Sequence, residues 1–465
     1  MLIERLFDPD LAHASYVIGC QAEGTAIVID PRRDIQPYLD IAAEHSMQIT
    51  AVTETHIHAD YVSGARELAA ATGATLYLSD EGGPDWLYRF EHVPLWHGST
   101  IELGNVLIEA LHTPGHTPEH LSFLVTDRAA TDKPGFLFTG DFLFVGDIGR
   151  PDLLDEAAGE EETRFPMARQ LFESLERTLG ALPDYVQVHP GHGAGSACGK
   201  ALGAVASSTI GYEKATAWWA DYVREGDREG FVKALLEGQP DAPLYFGRMK
   251  RINREGAPLL GQRQPLARTE GTALAGALDA GALLIDTRPR EEYAAGNAPG
   301  SLHLPADDNF VTWAGWVIDP EAGQELILLA ADQAEAHALR DELSRIGADR
   351  VVGYATSLAG LPLAPVKMVS PAQLEEMPDA LILDMRTRSE HEAGSIPGAR
   401  QLHGGRVLWN LGTLPTDRPI VTHCQGGARN AVVASAMRAK GFTQVLELEG
   451  SYEGWLAARE QHVGA

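Results

Sequence analysis

Cysteine is scarce in this chain: three residues in 465, at Cys20, Cys198 and Cys424. An odd and widely spaced set builds no disulfide framework and fits a reducing compartment, so each residue has to be considered as a thiol. Long apolar runs are missing as well. No stretch approaches the ~18 apolar residues of a membrane-spanning helix, and the start, Met1-Leu2-Ile3-Glu4-Arg5, has no basic region leading into an apolar segment. The expectation is a soluble, cytoplasmic protein with no membrane partner. Positive charge is also short. Lys and Arg number 37 against 65 Asp and Glu, a formal net charge of −28, which argues against nucleic acid and anionic surfaces as partners. A disorder signature is absent too, since 44% hydrophobic and 22% charged residues are ordinary for globular chains. The length exceeds one ordinary core and predicts about two to four domains.

What the chain does have is ligand-type residues at the ends of strands. The apolar run Ile49 to Val52 leads into Thr53-Glu54-Thr55-His56-Ile57-His58-Ala59-Asp60-Tyr61, and a helical pattern opens near Val62. Three later apolar runs end in Thr113-Pro114-Gly115-His116, Thr139-Gly140-Asp141 and His189-Pro190-Gly191-His192. Strand ends are rigid, so side chains carried there can converge on one point. His56, His116 and Asp141 make two imidazoles and one carboxylate, a set that leaves coordination positions open and suits ferrous iron and O2 chemistry. Lone histidines such as His45, His92 and His97 are read as surface or core residues, and His112 and His189 are left out of the ligand set.

Taken in order, a hairpin is predicted from Ser15 to Asp30 and a helix from Ile35 to His45. After the histidine turn come a helix from Val62 to Ala71, strands near Leu76, through Thr100 to Leu111, at Leu121 to Val125 and at Phe136 to Thr139, then an amphipathic helix from Glu161 to Leu179. Helices follow at Tyr212 to Val223, Arg228 to Leu236 and Tyr245 to Asn253. Such layering is α/β. Gly256 to Pro265 reads as a linker. Beyond it lies a repeat: Leu283-Leu284-Ile285-Asp286-Thr287-Arg288 is echoed 98 residues later by Leu381-Ile382-Leu383-Asp384-Met385-Arg386. Gly296-Asn297-Ala298-Pro299-Gly300 is echoed at the same spacing by Gly394-Ser395-Ile396-Pro397-Gly398. Pro362 to Pro371 joins the two copies, and each alternates strand and helix as small parallel-sheet domains do.

The order and wording of the four histidine and aspartate motifs resemble the metallo-β-lactamase fold superfamily over roughly residues 1 to 255. Within it the likeness is to persulfide dioxygenases, relatives of glyoxalase II that hold one iron. The resemblance implies His56, His116 and Asp141 as the ligands of one Fe(II) per chain. It departs at Tyr61, where glyoxalase-like hydrolases have a histidine for a second metal. His58, Asp60 and His192 then orient the ligands or line the cavity. Arg150 and Asp152 are read as binding a substrate carboxylate or ordering their loop, with a surface salt bridge as the alternative. Cys198, six residues past His192, stands either near the iron or as a small buried residue. The glycines around it do not make a phosphate loop, because Ala194 and Ala201 stand where glycine and Ser or Thr are needed.

The last 100 residues carry a second constellation. Val421-Thr422-His423-Cys424-Gln425-Gly426-Gly427-Ala428-Arg429 reads as strand, loop, and a helix from about Asn430. Backbone N–H groups, a helix start and a guanidinium all favour a thiolate at Cys424. With the Asp-x-Arg strand and the Ile-Pro-Gly-Ala segment, this resembles the rhodanese family and its Cys-x-x-Gly-x-Arg loop. In the first copy Ala330 stands opposite Cys424 and Glu335 opposite Arg429, so that copy resembles an inactive rhodanese.

The expected architecture is therefore a metallo-β-lactamase-type αββα sandwich (1–258), an inactive rhodanese-like domain (266–362) and an active one (366–465). The resemblance to persulfide dioxygenase and sulfurtransferase fusions implies oxidation of a small-molecule persulfide, such as that of glutathione or coenzyme A, by O2 to sulfite. Cys424 would then pass sulfane sulfur to sulfite, giving thiosulfate. A homo-oligomer is expected. Two rival readings are a zinc thioester hydrolase of the glyoxalase II kind and a non-enzymatic sulfur carrier read by a partner at Cys424.

Overall fold

The computed structural model describes residues 1–153 and 163–463. The chain divides into two compact units, Met1–Ala242 with Phe246–Gln262, and Pro243–Tyr245 with Arg263–Ala465. In chain order the first has β1 (Leu2–Asp8), β2 (His13–Cys20), β3 (Thr25–Ile29), α1 (Gln36–Glu44), β4 (Gln48–Thr53), α2 (Ala65–Thr72), β5 (Thr75–Ser79) and β6 (Val93–Leu95). It continues with β7 (Thr100–Leu103), β8 (Val106–His112), β9 (Leu121–Asp127), β10 (Phe136–Gly140), α3 (Arg164–Ala181), β11 (Gln187–Pro190) and β12 (Ser208–Thr209). Four helices follow: α4 (Ile210–Thr216), α5 (Ala220–Glu225), α6 (Arg228–Leu236) and α7 (Phe246–Glu255).

These strands form two six-stranded sheets, β1-β2-β3-β4-β5-β6 and β12-β11-β10-β9-β8-β7. The central strands are apolar at nearly every position because both of their faces are covered. Along β2 and β3, Tyr16, Ile18, Ile27 and Ile29 face Ile108, Phe123 and Phe138 between the sheets. Their neighbours Val17, Ala26 and Val28 pack outward against Tyr38 and Leu68 of α1 and α2. On the far side Leu137, Val186 and Val188 meet Leu171, Phe172 and Leu175 of α3 and Phe231 of α6. Helix, sheet, sheet, helix is thus the layering, and every strand end that carries a ligand-type residue opens on one rim. Residues 161 and 162 of the expected amphipathic helix lie outside the described residues, which show it as α3.

One expected helix is corrected: Tyr212 to Val223 is two helices, α4 and α5, broken at Ala217, whose backbone is extended. Trp218 and Trp219 follow that break, and both pack on the α3 and α6 core. Consecutive residues in one helix point about 100° apart, so a break is what lets both rings reach the same core. The expected linker from Gly256 to Pro265 begins as part of the first unit. Leu260 and Gly261 donate their N–H groups to the buried Glu67 carboxylate, and Arg66 and Arg33 reach the carbonyls of Ala257 and Pro258.

The second unit holds two sheets of five parallel strands. The first is built from β13 (Ala267–Arg268), α8 (Gly271–Asp279), β14 (Leu283–Asp286), α9 (Arg290–Ala295), β15 (Leu302–His303), α10 (Phe310–Val317), β16 (Leu326–Leu329), α11 (Gln333–Ser344) and β17 (Val351–Ala355). The second is built from β18 (Met368–Val369), α12 (Pro371–Glu375), β19 (Leu381–Asp384), α13 (Arg388–Ala393), β20 (Arg400–Gln401), β21 (Ile420–His423), α14 (Ala428–Ala439), β22 (Val445–Leu448) and α15 (Ser451–Val463). Their strand orders, β13-β17-β16-β14-β15 and β18-β22-β21-β19-β20, are the same path traced twice. The repeat reaches individual hydrogen bonds. Arg288 grips Asp286 through two N–H groups at 2.9 and 2.6 Å and reaches the Gly296 carbonyl. Arg386 does the same to Asp384, at 3.0 and 2.8 Å, and to Gly394. Pro371, at the end of the expected joint, already belongs to the second copy as the first residue of α12, behind a Ser370 capping box. No helix among the described residues is long and apolar enough to cross a membrane.

Candidate functional site

His56 leaves the end of β4, His116 sits in the loop between β8 and β9, and Asp141 directly follows β10. All three are buried, and their ligand atoms lie within 4.8 Å of one another. Their hydrogen bonds decide which atoms are free. Thr55 gives its one hydroxyl proton to Asp30 Oδ2, so at 3.0 Å it accepts from His56 Nδ1, and His56 Nε2 keeps its lone pair. His116 Nδ1 can only donate to the Arg150 carbonyl at 2.9 Å, which leaves His116 Nε2 bare as well. That bare nitrogen faces Asp141 Oδ2 at 3.5 Å, an oxygen with no hydrogen-bond partner within 3.5 Å among the nitrogens and oxygens of the described residues. Two lone pairs and an orphaned carboxylate oxygen turned on one another are costly in a dry interior unless a cation stands between them. Burial pushes both imidazoles below their ordinary range, so they are neutral, as ligands must be. Burial alone would raise Asp141, but the protonated His192 beside it, through its charge and its hydrogen bond, holds it well below the usual carboxylate range. The residues fit a metal ion.

The surrounding residues hold these three in place. His192 donates from Nδ1 to Asp141 Oδ1 at 2.7 Å and from Nε2 to Asp60 Oδ2 at 2.9 Å. Burial opposes its charge, yet the two carboxylates overcome that and keep it protonated. Gly191 packs closely here, since a β-carbon there would stand 3.0 Å from Asp141 Oδ1. His58 turns aside to Asp30 Oδ1 at 3.1 Å, and Tyr61 donates to the Asp30 carbonyl. Cys198 is buried with its sulfur grouped with Asp60 and His192, a second set that can hold a metal. Burial and the carboxylates of Asp141 and Asp60 push its thiol well above the ordinary value, so it is a neutral SH in this setting.

Of the readings of Arg150, the structure leaves one. It is 1% exposed, and its guanidinium is spent inside the protein, on Asp152 at 2.8 and 2.6 Å and on the carbonyls of Ala197 and Pro240. It is neither a surface salt bridge nor free to take a substrate carboxylate. It orders the loop whose carbonyl fixes His116.

Four residues of this site escaped the sequence reading. Asp30, in the left-handed region at φ 52°, gathers Thr55, His58 and Tyr61. His120 stacks on His56, and its Nε2 accepts the Asp141 N–H. Glu119 accepts the Ile57 N–H at 2.7 Å. His13 is fully buried beside Tyr61 and His192, and neither ring nitrogen has a hydrogen-bond partner among the described residues. His120 lies four residues past His116, a spacing that could have flagged it; the others are brought in from strands or loops with no motif of their own.

In the second unit Cys424 follows β21 and is buried, and its Sγ accepts the Gly427 N–H at 3.1 Å. Helix α14 starts at Ala428, two residues before the expected Asn430, because Gly427 at φ 110° turns the chain sharply enough to begin it there. Arg429 is not left to face the sulfur alone: it donates to Glu390 at 2.8 and 2.7 Å. In the first copy Glu335, opposite Arg429, folds its carboxylate back onto the Ala331 N–H, so that loop already holds an anion of its own.

Residues 8–192 match the metallo-beta-lactamase superfamily, and residues 370–458 match the rhodanese-like domain. The crystal structure of a metallo-beta-lactamase from Staphylococcus aureus subsp. aureus COL is 38% identical, covers 76% of this chain and 98% of its own, and superposes with a TM-score of 0.67. That of ETHE1 from Myxococcus xanthus is 29% identical over 55% of this chain and 98% of its own, with a TM-score of 0.45. A hydroxyacylglutathione hydrolase of Polaromonas is 32% identical across 41% of this chain and 66% of its own length. The chain belongs to the metallo-beta-lactamase superfamily and carries a rhodanese-like domain at its C-terminal end.

Proposed function

We propose that the first unit is a non-haem iron persulfide dioxygenase and that Cys424 is a sulfur-transfer nucleophile. A low-molecular-weight persulfide, O2 and water would give thiol, sulfite and two protons, and Cys424 would hand a sulfane sulfur to sulfite to make thiosulfate. The supporting observation is the triad itself. His56 Nε2, His116 Nε2 and Asp141 Oδ2 face one point with their lone pairs fixed, and Tyr61, held on Asp30, stands at the sequence position where glyoxalase-like hydrolases have a histidine for a second metal. Two imidazoles and one carboxylate suit ferrous iron, which when bound would supply the O2 chemistry. The protein's part is positional: Thr55 and the Arg150 carbonyl set the imidazole tautomers, His120 fixes the Asp141 backbone, and Phe144 beside His192 helps keep the cavity dry.

A second reading, a dinuclear zinc thioester hydrolase, draws support from the Asp60, His192 and Cys198 group and from the likeness to a hydroxyacylglutathione hydrolase. Metal analysis of anaerobically purified protein separates the two. About one iron per chain and O2 uptake on glutathione persulfide are expected. Replacing His116 with Ala should abolish both while sulfur transfer from thiosulfate to cyanide persists. Two zinc ions with thioesterase activity and no O2 uptake would move the assignment to the hydrolase.

A further inference from the structure

The inactive copy reaches the loop of the active one. Helix α14, which begins at that loop, is buried from Asn430 to Met437. Its Ser435 hydroxyl takes the His303 N–H of β15 in the first copy. From the start of α9, also in the first copy, the half-buried Arg290 donates from Nη1 to the Gly426 carbonyl at 3.1 Å. A β-carbon on Gly427 would overlap the same guanidinium. The Gly426 carbonyl and the Gly427 N–H belong to one peptide plane and point in opposite directions. A cation on the oxygen outside therefore aims the N–H inward, at Cys424 Sγ 3.1 Å away, and polarises it as a donor. Arg386 and Glu453 hold the Gln425 side chain, and Arg429, which also faces the Cys424 sulfur, is shared with Glu390, so Arg290 is the cation that acts on the Gly426 carbonyl. Arg290 also lines a cavity of about 490 Å³ with Thr287, Asp307, Trp313, Glu335 and Ala428, so the inactive copy builds much of the wall at the start of α14.

We propose that Arg290 is a positioning residue for sulfur transfer at Cys424, supplied by the copy that has lost its own nucleophile. The inference rests on the reading of Cys424 given above. In the transfer step the sulfur of sulfite attacks the outer sulfur of the Cys424 persulfide. A new S–S bond forms in thiosulfate, the old one breaks, and its electron pair returns to Cys424 Sγ. The Gly427 N–H meets that returning charge, and Arg290 keeps it aimed there.

The test uses the full-length chain as wild type, Arg290→Ala and Arg290→Lys, with Cys424→Ser as reference. The pH dependence of Cys424 alkylation by iodoacetamide is followed by peptide mass spectrometry, and transfer from thiosulfate to cyanide is measured in parallel. In Arg290→Ala the alkylation midpoint should rise by about one pH unit and kcat should fall about tenfold, the loss of one charge-assisted hydrogen bond. Arg290→Lys should recover part of both, and O2 uptake on glutathione persulfide should match wild type in each, which reports that the chain is folded. An alkylation midpoint and kcat equal to wild type in both variants would overturn the proposal. So would equal losses in the two variants, because a bulk structural defect is not rescued by a conserved charge. Transfer that survives in Cys424→Ser would instead remove the underlying reading of Cys424, whatever Arg290 does.

Discussion

Arg429 donates to both oxygens of Glu390, so on the proposed function an anionic sulfur donor would have to compete with a carboxylate of the same domain. Glu390 is held down to about 2, first by Arg429, against an ordinary value of 4.5. A depressed carboxyl contributes stability that is complete above about 4.5 and is lost as pH falls through 2, so no assay near neutrality releases Arg429 by titration. Substitution can. Glu390→Gln keeps the acceptor for the capping box with Thr387 but removes the charge that holds the guanidinium. We expect the KM for thiosulfate to fall about three- to fivefold with kcat nearly unchanged, the pair being partly solvated and therefore weak. Steady-state kinetics at two ionic strengths checks this, and a KM that rises would mean that Arg429 meets no substrate anion.

At the scale of elements, the turn after β4 is pinned to the loop between β8 and β9 by Glu119, whose Oε1 accepts the Ile57 N–H. Burial raises this carboxyl to about 7, so the folded chain holds a proton that the unfolded chain gives up near 4.5. Its contribution to stability is complete below about 4.5 and is lost as pH rises through 7. The buried, neutral histidines of the site slope the other way, which makes the difference between variant and wild type the useful quantity. Glu119→Gln keeps the acceptor and cannot ionise. In chelator-treated full-length chain its urea midpoint, relative to wild type, should move upward between pH 5 and pH 8; a constant difference would show that Glu119 is already ionised at pH 5. The same elements explain what the sequence made legible. Ligand candidates at strand ends could be read because strand, turn and ligand are contiguous, and the repeat because Asp286 and Asp384 each carry an arginine two residues on. Asp30 and His13 could not, since their roles depend on which strands become neighbours. The break between α4 and α5 was hidden because the apolar spacing is continuous across it, and two adjacent tryptophans were needed to force it. The first copy's loop shows the converse: with Asp332 as cap, α11 starts one position earlier than α14 does, and no glycine in the left-handed region precedes it.

At the scale of the whole molecule the question is why a metal-type site and a thiol loop share one chain. On the proposed function, sulfite made in the first unit would be a soft nucleophile, and a persulfide on Cys424 would be the electrophilic sulfur donor that it meets. Neither reaction requires the other to be fused to it, but joining them keeps their amounts equal, so each sulfite formed has a transfer site made in the same ratio. This holds without any channel between the two. It follows that the two chemistries should come apart cleanly. In Cys424→Ser the triad of His56, His116 and Asp141 is untouched, so O2 uptake on glutathione persulfide should continue at close to the wild-type rate, while the product changes from thiosulfate to sulfite. Loading the full-length chain with persulfide without oxygen, adding oxygen, and separating the sulfur anions measures the ratio, after subtraction of the uncatalysed reaction between sulfite and persulfide. Thiosulfate output equal to wild type would show that Cys424 is not the transfer site. Loss of O2 uptake would show instead that the first unit depends on the second, and the equal-ratio account of the fusion would give way to one in which the thiol loop acts on the oxidation itself.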